Sequence, residues 1–396
     1  MDENYMNVPS KKDKYYASAN KQQTGKKNIW IVAVLYFLIG FEFIYMASPF
    51  AVYFYAAYGN GLDFLNESPI LAWLCRTFLP HIVKETSSAF LNIYNIIGWN
   101  LTVFGFAGFS VSAAHVYYYK FTRKKPVIGG IYRIIRHPQY ASLIICGLGL
   151  LILWPRYIVL LSFLLMLFVY YFLAKIEEHE CEEKFGEAYL EYKRKTQMFI
   201  PMRMSAIKKI FTLPPSGFQR FLAFIALFSM VNVSSIELAN ILEEISLNSL
   251  FARFNKDAAY ISVSKIEQAQ LTRLIEIAHA NPNVRKQLNS MHGKNDKFIN
   301  YILPVGWYVP EIPMNKVHKD SDHYTPDNYD KNIYKIVFTR AIIRAGQEAE
   351  GKEILFNTVK RIPLIEVTVN LSNNTVMHIV NPPSKFKYMN IPVPLY

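Results

Sequence analysis

Apolar and polar positions are unevenly distributed along the chain, and their spacing divides it into two halves. Long apolar runs dominate up to about residue 242, whereas alternation and short β-branched runs dominate beyond. The run from Asn28 to Tyr58 is broken only by Glu42 and small residues, longer than the roughly 20 residues a helix needs to cross the hydrocarbon core. A second run covers Ile93 to Tyr119. A third covers Tyr140 to Trp154 and turns at Trp154-Pro155-Arg156 into a fourth, Tyr157 to Ala174, which predicts a helical hairpin. Between the first two, Ile70 to Phe78 is apolar and Pro80 stops it, the pattern of an interfacial helix. A fifth stretch, Phe221 to Val233, falls short of a span unless the amphipathic turns of Ser234 to Leu242 extend it, so four or five membrane helices are open. The pattern predicts an all-α polytopic membrane bundle followed by a soluble α+β domain.

That division sets provisional boundaries: a polar tail over 1–27, a membrane domain over 28–217, a candidate fifth helix over 218–244, and an α+β domain over 245–396. Within the last, Ser264 to Ala280 has helical spacing with Ile266, Leu271, Leu274, Ile275 and Ile277 apolar, and Asn281-Pro282 closes it. Ile354 to Phe356, Leu364 to Leu371 and Val376 to Val380 read as strands, with Ser372-Asn373-Asn374 turning between the last two; Tyr308 to Asn332 reads as a long loop.

Composition agrees with a membrane chain and adds an orientation. Of 396 residues, 52% are hydrophobic and 18% charged, which excludes a disordered chain. The net charge is +13, and +10 of it lies up to Ile236, in the apolar half. Basic residues cluster in the tail, after span two (Lys120, Arg123, Lys124, Lys125, Arg133, Arg136) and after span four (Lys184, Lys193, Arg194, Lys195, Arg203, Lys208, Lys209). The surplus therefore reads as membrane topology rather than a nucleic-acid surface, with the tail and both basic loops cytosolic. The side of the C-terminal portion is left open by this count. Cys75, Cys146 and Cys181 form no CxxC pair, so neither a disulfide framework nor a zinc site is written in the sequence.

Chemistry concentrates at the cytosolic ends of the hairpin. Gly129-Gly130-Ile131-Tyr132-Arg133-Ile134-Ile135-Arg136-His137-Pro138-Gln139-Tyr140 enters it. Pro138 suits the first turn of a helix, Arg136 can bind a carboxylate with two prongs, and His137 can exchange a proton near neutral pH. Where the hairpin returns, seven acidic residues fall within the fifteen positions from Glu177 to Glu191. Glu180, Glu183, Lys184 and Glu187 suit a solvated helical face, while Glu177 and Glu178 sit nearest the bilayer and are set apart. Both clusters leave the same end of one hairpin, which predicts a pocket for a zwitterionic, partly cationic ligand.

Together, G-x-Y-R-x-x-R-H-P-x-Y, the apolar hairpin, Glu177-Glu178, Phe185-Gly186 with Tyr189 and Tyr192, and Phe199-Ile200-Pro201 resemble the integral-membrane methyltransferases that include isoprenylcysteine carboxyl methyltransferase and the phospholipid N-methyltransferases. The resemblance covers about residues 95 to 202. It implies S-adenosylmethionine bound from the cytosol and a lipid-embedded or amphipathic acceptor, an isoprenylcysteine carboxylate or a lipid amine. By the same resemblance Tyr132, Arg136, His137, Pro138, Tyr140 and Glu178 line the cofactor site, and Arg136, Glu177 and Glu178 act on cofactor or acceptor. Two other readings stay open. Glu178-His179-x-Cys181-x-x-Lys184-Phe185-Gly186 is also similar to the C-terminal signature of membrane sterol reductases, which bind NADPH, and a degenerate bundle could anchor a C-terminal binding module. Elsewhere, Glu42 lies inside a predicted span with Asn100 as a polar neighbour, His115 reads as an interface residue, and His318, Asp320, Asp322 and His323 read as a solvated loop.

Overall fold

A computed structural model describes residues 47–54, 61–122, 127–201, 216–291, 293, 295–316, 323–383, 386, 388 and 393–396, with single helical positions at 37, 40, 41 and 44. The chain divides into two units, Met1–Val52 and Tyr53–Tyr396. In the first, the described residues are helical; Glu42, most of the expected first span and the polar tail lie outside the described residues, as do His318, Asp320 and Asp322.

The second unit opens with α1 (Gly61–Glu67) and a 3-10 turn, Ala72–Cys75, where an interfacial helix over Ile70 to Phe78 was expected. Four longer helices follow: α2 (Ala89–Thr122), α3 (Pro138–Leu153), α4 (Tyr157–Phe185) and, beyond the short α5 (Glu187–Lys195), α6 (Gly217–Ser249). Three of them are long and apolar enough to cross a membrane: α2 over Ala89–Tyr119, α4 and α6. The 16 residues of α3 make a rod of roughly 24 Å, shorter than the hydrocarbon core of about 30 Å. The fifth apolar stretch is much longer than its hydropathy implied, because Ser216 caps it by accepting the backbone N–H of Gln219 and the helix runs unbroken to Ser249.

Apolar side chains alone give no drive for helix association in lipid, so close approach must come from small residues. In α2 and α3 it does. A Cβ on Gly105 would lie 2.3 Å from the backbone N of Cys146, so any larger residue forces these helices apart. The contact between α4 and α6 is aromatic instead: Phe168 lies edge-on to Phe224 and Phe228 at 5.2 and 4.8 Å, and Phe172 meets Phe224 at 4.8 Å.

Beyond α6 a six-stranded sheet runs in chain order: β1 (Ala252–Phe254), β2 (Ala258–Ser262), β3 (Lys297–Pro304), β4 (Ile333–Ile343), β5 (Thr358–Asn370) and β6 (Thr375–Val380). Only β2 and β3 are parallel, because α7 (Gln268–Ala280) and α8 (Pro282–Met291) cross over between them. Asn281-Pro282 closes α7 as expected, and Pro282 also opens α8. Leu271, Leu274 and Ala278 of α7 pack on one sheet face with Ile302, Ile336 and Val367. The opposite face is covered by Trp307, Ile312 and, from the loop after the first expected span, Ile82 and Val83. Ile354 to Phe356 is a correction: the expected strand is a helical turn, α9 (Glu353–Asn357), whose Ile354 and Leu355 plug that same face. A three-residue apolar run has no period, so it distinguishes neither element.

Contacts fix where this domain sits on the bundle. Phe78 N–H donates to Pro155 C=O at 2.9 Å, Tyr157 N–H to Arg76 C=O at 3.3 Å, and the His81 ring lies tilted against Trp154 at 4.5 Å. Lys84 N–H continues to Val263 C=O, and Tyr396 C=O receives His81 and Ile82 N–H. The sheet domain is thereby tied to the turn of the hairpin, the end opposite Glu177 and Glu178.

Candidate functional site

From Tyr157 to Glu178 along α4 is 21 steps, roughly 32 Å of helix, so the acidic pair lies about a bilayer's thickness from the hairpin turn. There α4 ends at Gly186, whose φ of +56° reverses the chain into α5. The reversal brings residues 193–198 back across the entrance of α3. Arg136 N–H donates to Gln197 C=O at 2.8 Å and His137 N–H to Met198 C=O at 3.1 Å, and Pro138 opens α3 as its position predicted.

A charged cluster results. Arg136 Nε donates to Glu178 Oε1 at 2.6 Å and its Nη1 to the backbone oxygens of Lys193, at 3.2 Å, and Thr196. Lys193 Nζ lies 2.8 Å from Glu178 Oε2 and 2.5 Å from Glu182 Oε1. Glu178 is 1% exposed, so this carboxylate is a buried hub between two cations. Removing it would strand Arg136, a loss of about 3–5 kcal/mol for a buried pair broken on one side.

Glu177 differs from its neighbour. Its side chain is 32% exposed, it accepts the Tyr140 hydroxyl, and its Oε2 lies 3.3 Å from His137 Nδ1. His137 is buried between the two carboxylates, with Nε2 3.6 Å from Glu178, yet neither ring nitrogen makes an aligned hydrogen bond. Burial alone would lower its pKa; the close carboxylates of Glu177 and Glu178 overcome that and raise it above its ordinary value. Rings enclose the group: Tyr140 stacks on His137 at 5.7 Å and on Tyr170 at 4.8 Å, and Phe199 lies 6.0 Å from His137.

The structure therefore brings together Arg136, His137, Tyr140, Glu177 and Glu178. It turns Tyr132 elsewhere. The Tyr132 hydroxyl donates to Gln139 Oε1 at 3.0 Å and Ser112 C=O at 3.3 Å, its ring stacks on His115 at 5.7 Å, and its own carbonyl receives the Tyr192 hydroxyl at 2.7 Å. His115 is in turn stacked on Tyr119 at 4.9 Å, an interface position as expected. Sequence reasoning missed Lys193, Thr196 and Tyr170. The first two arrive only through the fold-back at Gly186, and Tyr170 is one aromatic among many on an apolar helix. The remaining acidic residues behave as a solvated face: Glu180, Glu183 and Glu187 are exposed, and Glu183 pairs with His179 at 3.3 Å.

Chemically, an aromatic wall and two carboxylates, one of them reachable, suit a cation that also carries a carboxylate partner for His137. Residues 94–188 match the family model of phospholipid methyltransferases. That family is one of the integral-membrane methyltransferases, and the match covers about a quarter of the chain. No curated protein and no solved structure matches the chain. The matched segment runs from α2 through the whole hairpin to the first residues of α5, so it contains every residue of the cluster except Lys193, Thr196 and Phe199. It supports a transferase embedded among apolar helices and acting on a lipid-type substrate. Among the described residues no group of three His, Cys, Asp or Glu is placed to hold a metal ion, and His323 instead pairs with the buried Glu311 at 3.0 Å.

Proposed function

We propose that this protein transfers the methyl group of S-adenosylmethionine to a lipid-embedded or amphipathic acceptor, at the Arg136 end of the α3–α4 hairpin, facing the cytosol. The observation that carries the reading is the pairing of a half-open carboxylate, Glu177, with a buried His137 lacking aligned hydrogen bonds, inside a segment that matches a methyltransferase family. These groups fit the cofactor: the sulfonium is a cation suited to Tyr140, Tyr170 and Glu177, and its amino-acid carboxylate suits His137. When bound, S-adenosylmethionine supplies an electrophilic methyl.

The chain's own residues then have three tasks. Arg136 and Lys193 lock Glu178, and through it the ends of α3, α4 and α5, so the pocket keeps one shape. Tyr140, Tyr170 and Phe199 keep water from the reacting atoms, which strengthens electrostatic contacts there. Glu177 accepts the proton of an amine acceptor; a carboxylate acceptor has none to give. Arg136 is committed to Glu178, Lys193 and Thr196, which favours the amine type over a carboxylate held by Arg136.

The test is to incubate membranes containing the protein with methyl-labelled S-adenosylmethionine beside the Glu177→Gln variant and to separate lipid, protein and small-molecule fractions. Label in the lipid fraction that depends on Glu177 supports the proposal. Absence of label with binding of NADPH moves the reading to a reductase, and binding of neither moves it to a membrane anchor.

A further inference from the structure

A cavity of about 320 Å³ lies at the other end of the hairpin, walled by α1, Arg76, the end of α6 and the sheet residues around Arg344 and Arg361. That volume is in the range of small-ligand sites. Two of the cations that line it are buried and meet only neutral oxygens. Arg344, 9% exposed, gives Nε and Nη2 to the Asn66 carbonyl at 3.3 and 3.2 Å. Arg361, 6% exposed, donates to the Tyr301 hydroxyl and, at 3.0 Å, to the Glu311 carbonyl. Among the described residues neither has a carboxylate in ion-pair contact, and Arg344 Nη1 and Arg361 Nε keep N–H groups that donate to none of them. Burial lowers the Arg344 pKa, as it does for a cation short of counter-charge.

The other charges of the lining are already answered. Arg76 and Glu243 neutralise each other through two hydrogen bonds of 3.1 and 2.6 Å. Asp63, Glu67 and Lys360 are exposed and mixed in sign, so water screens them. The unmet charge is therefore the buried pair of guanidiniums. Leaving a buried charge uncompensated is costly, so the lining favours a ligand with two negative charges.

The shape of that ligand follows from where the cations are rooted. Arg361 pairs with Ala341 across β4 and β5, and Arg344 lies three residues beyond Ala341, roughly 10 Å of strand. Apolar side chains of Leu355, Phe356 and Val359 line the same space. A compact dianion such as phosphate would leave that apolar surface uncovered, and a monocarboxylate would leave one guanidinium unanswered.

We infer that this cavity binds a small aliphatic dicarboxylate, with one carboxylate on Arg344, the other on Arg361, and the methylene chain against Leu355, Phe356 and Val359. The site lies roughly 32 Å of helix from Glu178 and does not rest on methyl transfer there.

The full-length protein in a maltoside detergent, titrated calorimetrically with succinate, adipate and suberate beside hexanoate, hexanediol and inorganic phosphate, tests this. The best of the three dicarboxylates should bind at least about ten-fold more tightly than hexanoate, which lacks the second charge, and the diol should not bind. Arg344→Gln and Arg361→Gln should each bring that dicarboxylate down to about the hexanoate level. Should either variant fail to fold, the ranking of ligands by the wild type carries the test alone. A dicarboxylate affinity within about two-fold of hexanoate or of phosphate, no binding of any dicarboxylate at about 10 mM, or a folded arginine variant that keeps the wild-type affinity would overturn the assignment.

Discussion

Glu178 and Glu243 are the same residue type in similar burial, each paired with an arginine at 2.6 Å, one at either end of α4. Their surroundings separate them. Around Glu243 the polar groups are satisfied: Arg76 gives it two hydrogen bonds and the Tyr157 hydroxyl a third at 2.9 Å. Around Glu178 the pairing to Arg136 and Lys193 leaves an imbalance next door, in His137 and the half-exposed Glu177. A saturated ion pair joins elements, here α6 to the arm before α2. An ion-paired hub beside a histidine without aligned hydrogen bonds builds a rigid wall.

Substitutions can break that comparison. The largest effect is expected for Glu178→Ala, which leaves Arg136 buried without a counter-charge. It should destabilise the protein by about 3–5 kcal/mol in detergent unfolding and abolish activity with it. Glu177→Gln should instead separate stability from function, cutting methyl transfer to an amine acceptor about 100-fold or more while the unfolding midpoint hardly moves. If the two glutamates behave alike, the distinction between hub and reactive group fails. Next comes Glu243→Gln, expected to cost about 1–2 kcal/mol because Arg76 is partly exposed and the amide keeps one acceptor, with cofactor binding unchanged.

The smallest effect is the pH dependence of His137. Its folded pKa is raised, so the stability it contributes is complete below the unfolded value near 6.5 and is lost as pH rises through the higher folded value. Unfolding midpoints measured from pH 6 upward should therefore fall, and His137→Gln should flatten that part of the curve.

The Arg136 end of the hairpin was the more legible in the sequence. Arg136, His137 and Pro138 are adjacent in sequence, and the hairpin that returns Glu177 and Glu178 is written in its own apolar length. What the sequence hid was the third layer. Lys193 sits in a run of solvated charges, and only the turn at Gly186, a positive-φ position, sends it back to Glu178. Tyr132 shows the opposite case, a motif residue whose bonds serve the α2–α3 contact. In the C-terminal domain β5 and β6 were legible from β-branched residues, and the turn before Thr375 falls where expected, with Asn374 at φ 58°. Strands β1 to β3 were not: β2 and most of β3 are buried on both faces and show no alternation, and β1 has only three residues. β4, with Ile336, Val337 and Phe338 consecutive and buried, was a strand signal that the alternation test passes over.

The most direct measurement is the affinity of purified full-length protein for S-adenosylmethionine, taken for the wild type, Glu177→Gln and Glu243→Gln side by side. The account predicts binding by the wild type and by Glu243→Gln alike, and affinity at least about ten-fold weaker in Glu177→Gln. Loss of binding in Glu243→Gln with retention in Glu177→Gln, or no binding by the wild type, would contradict it.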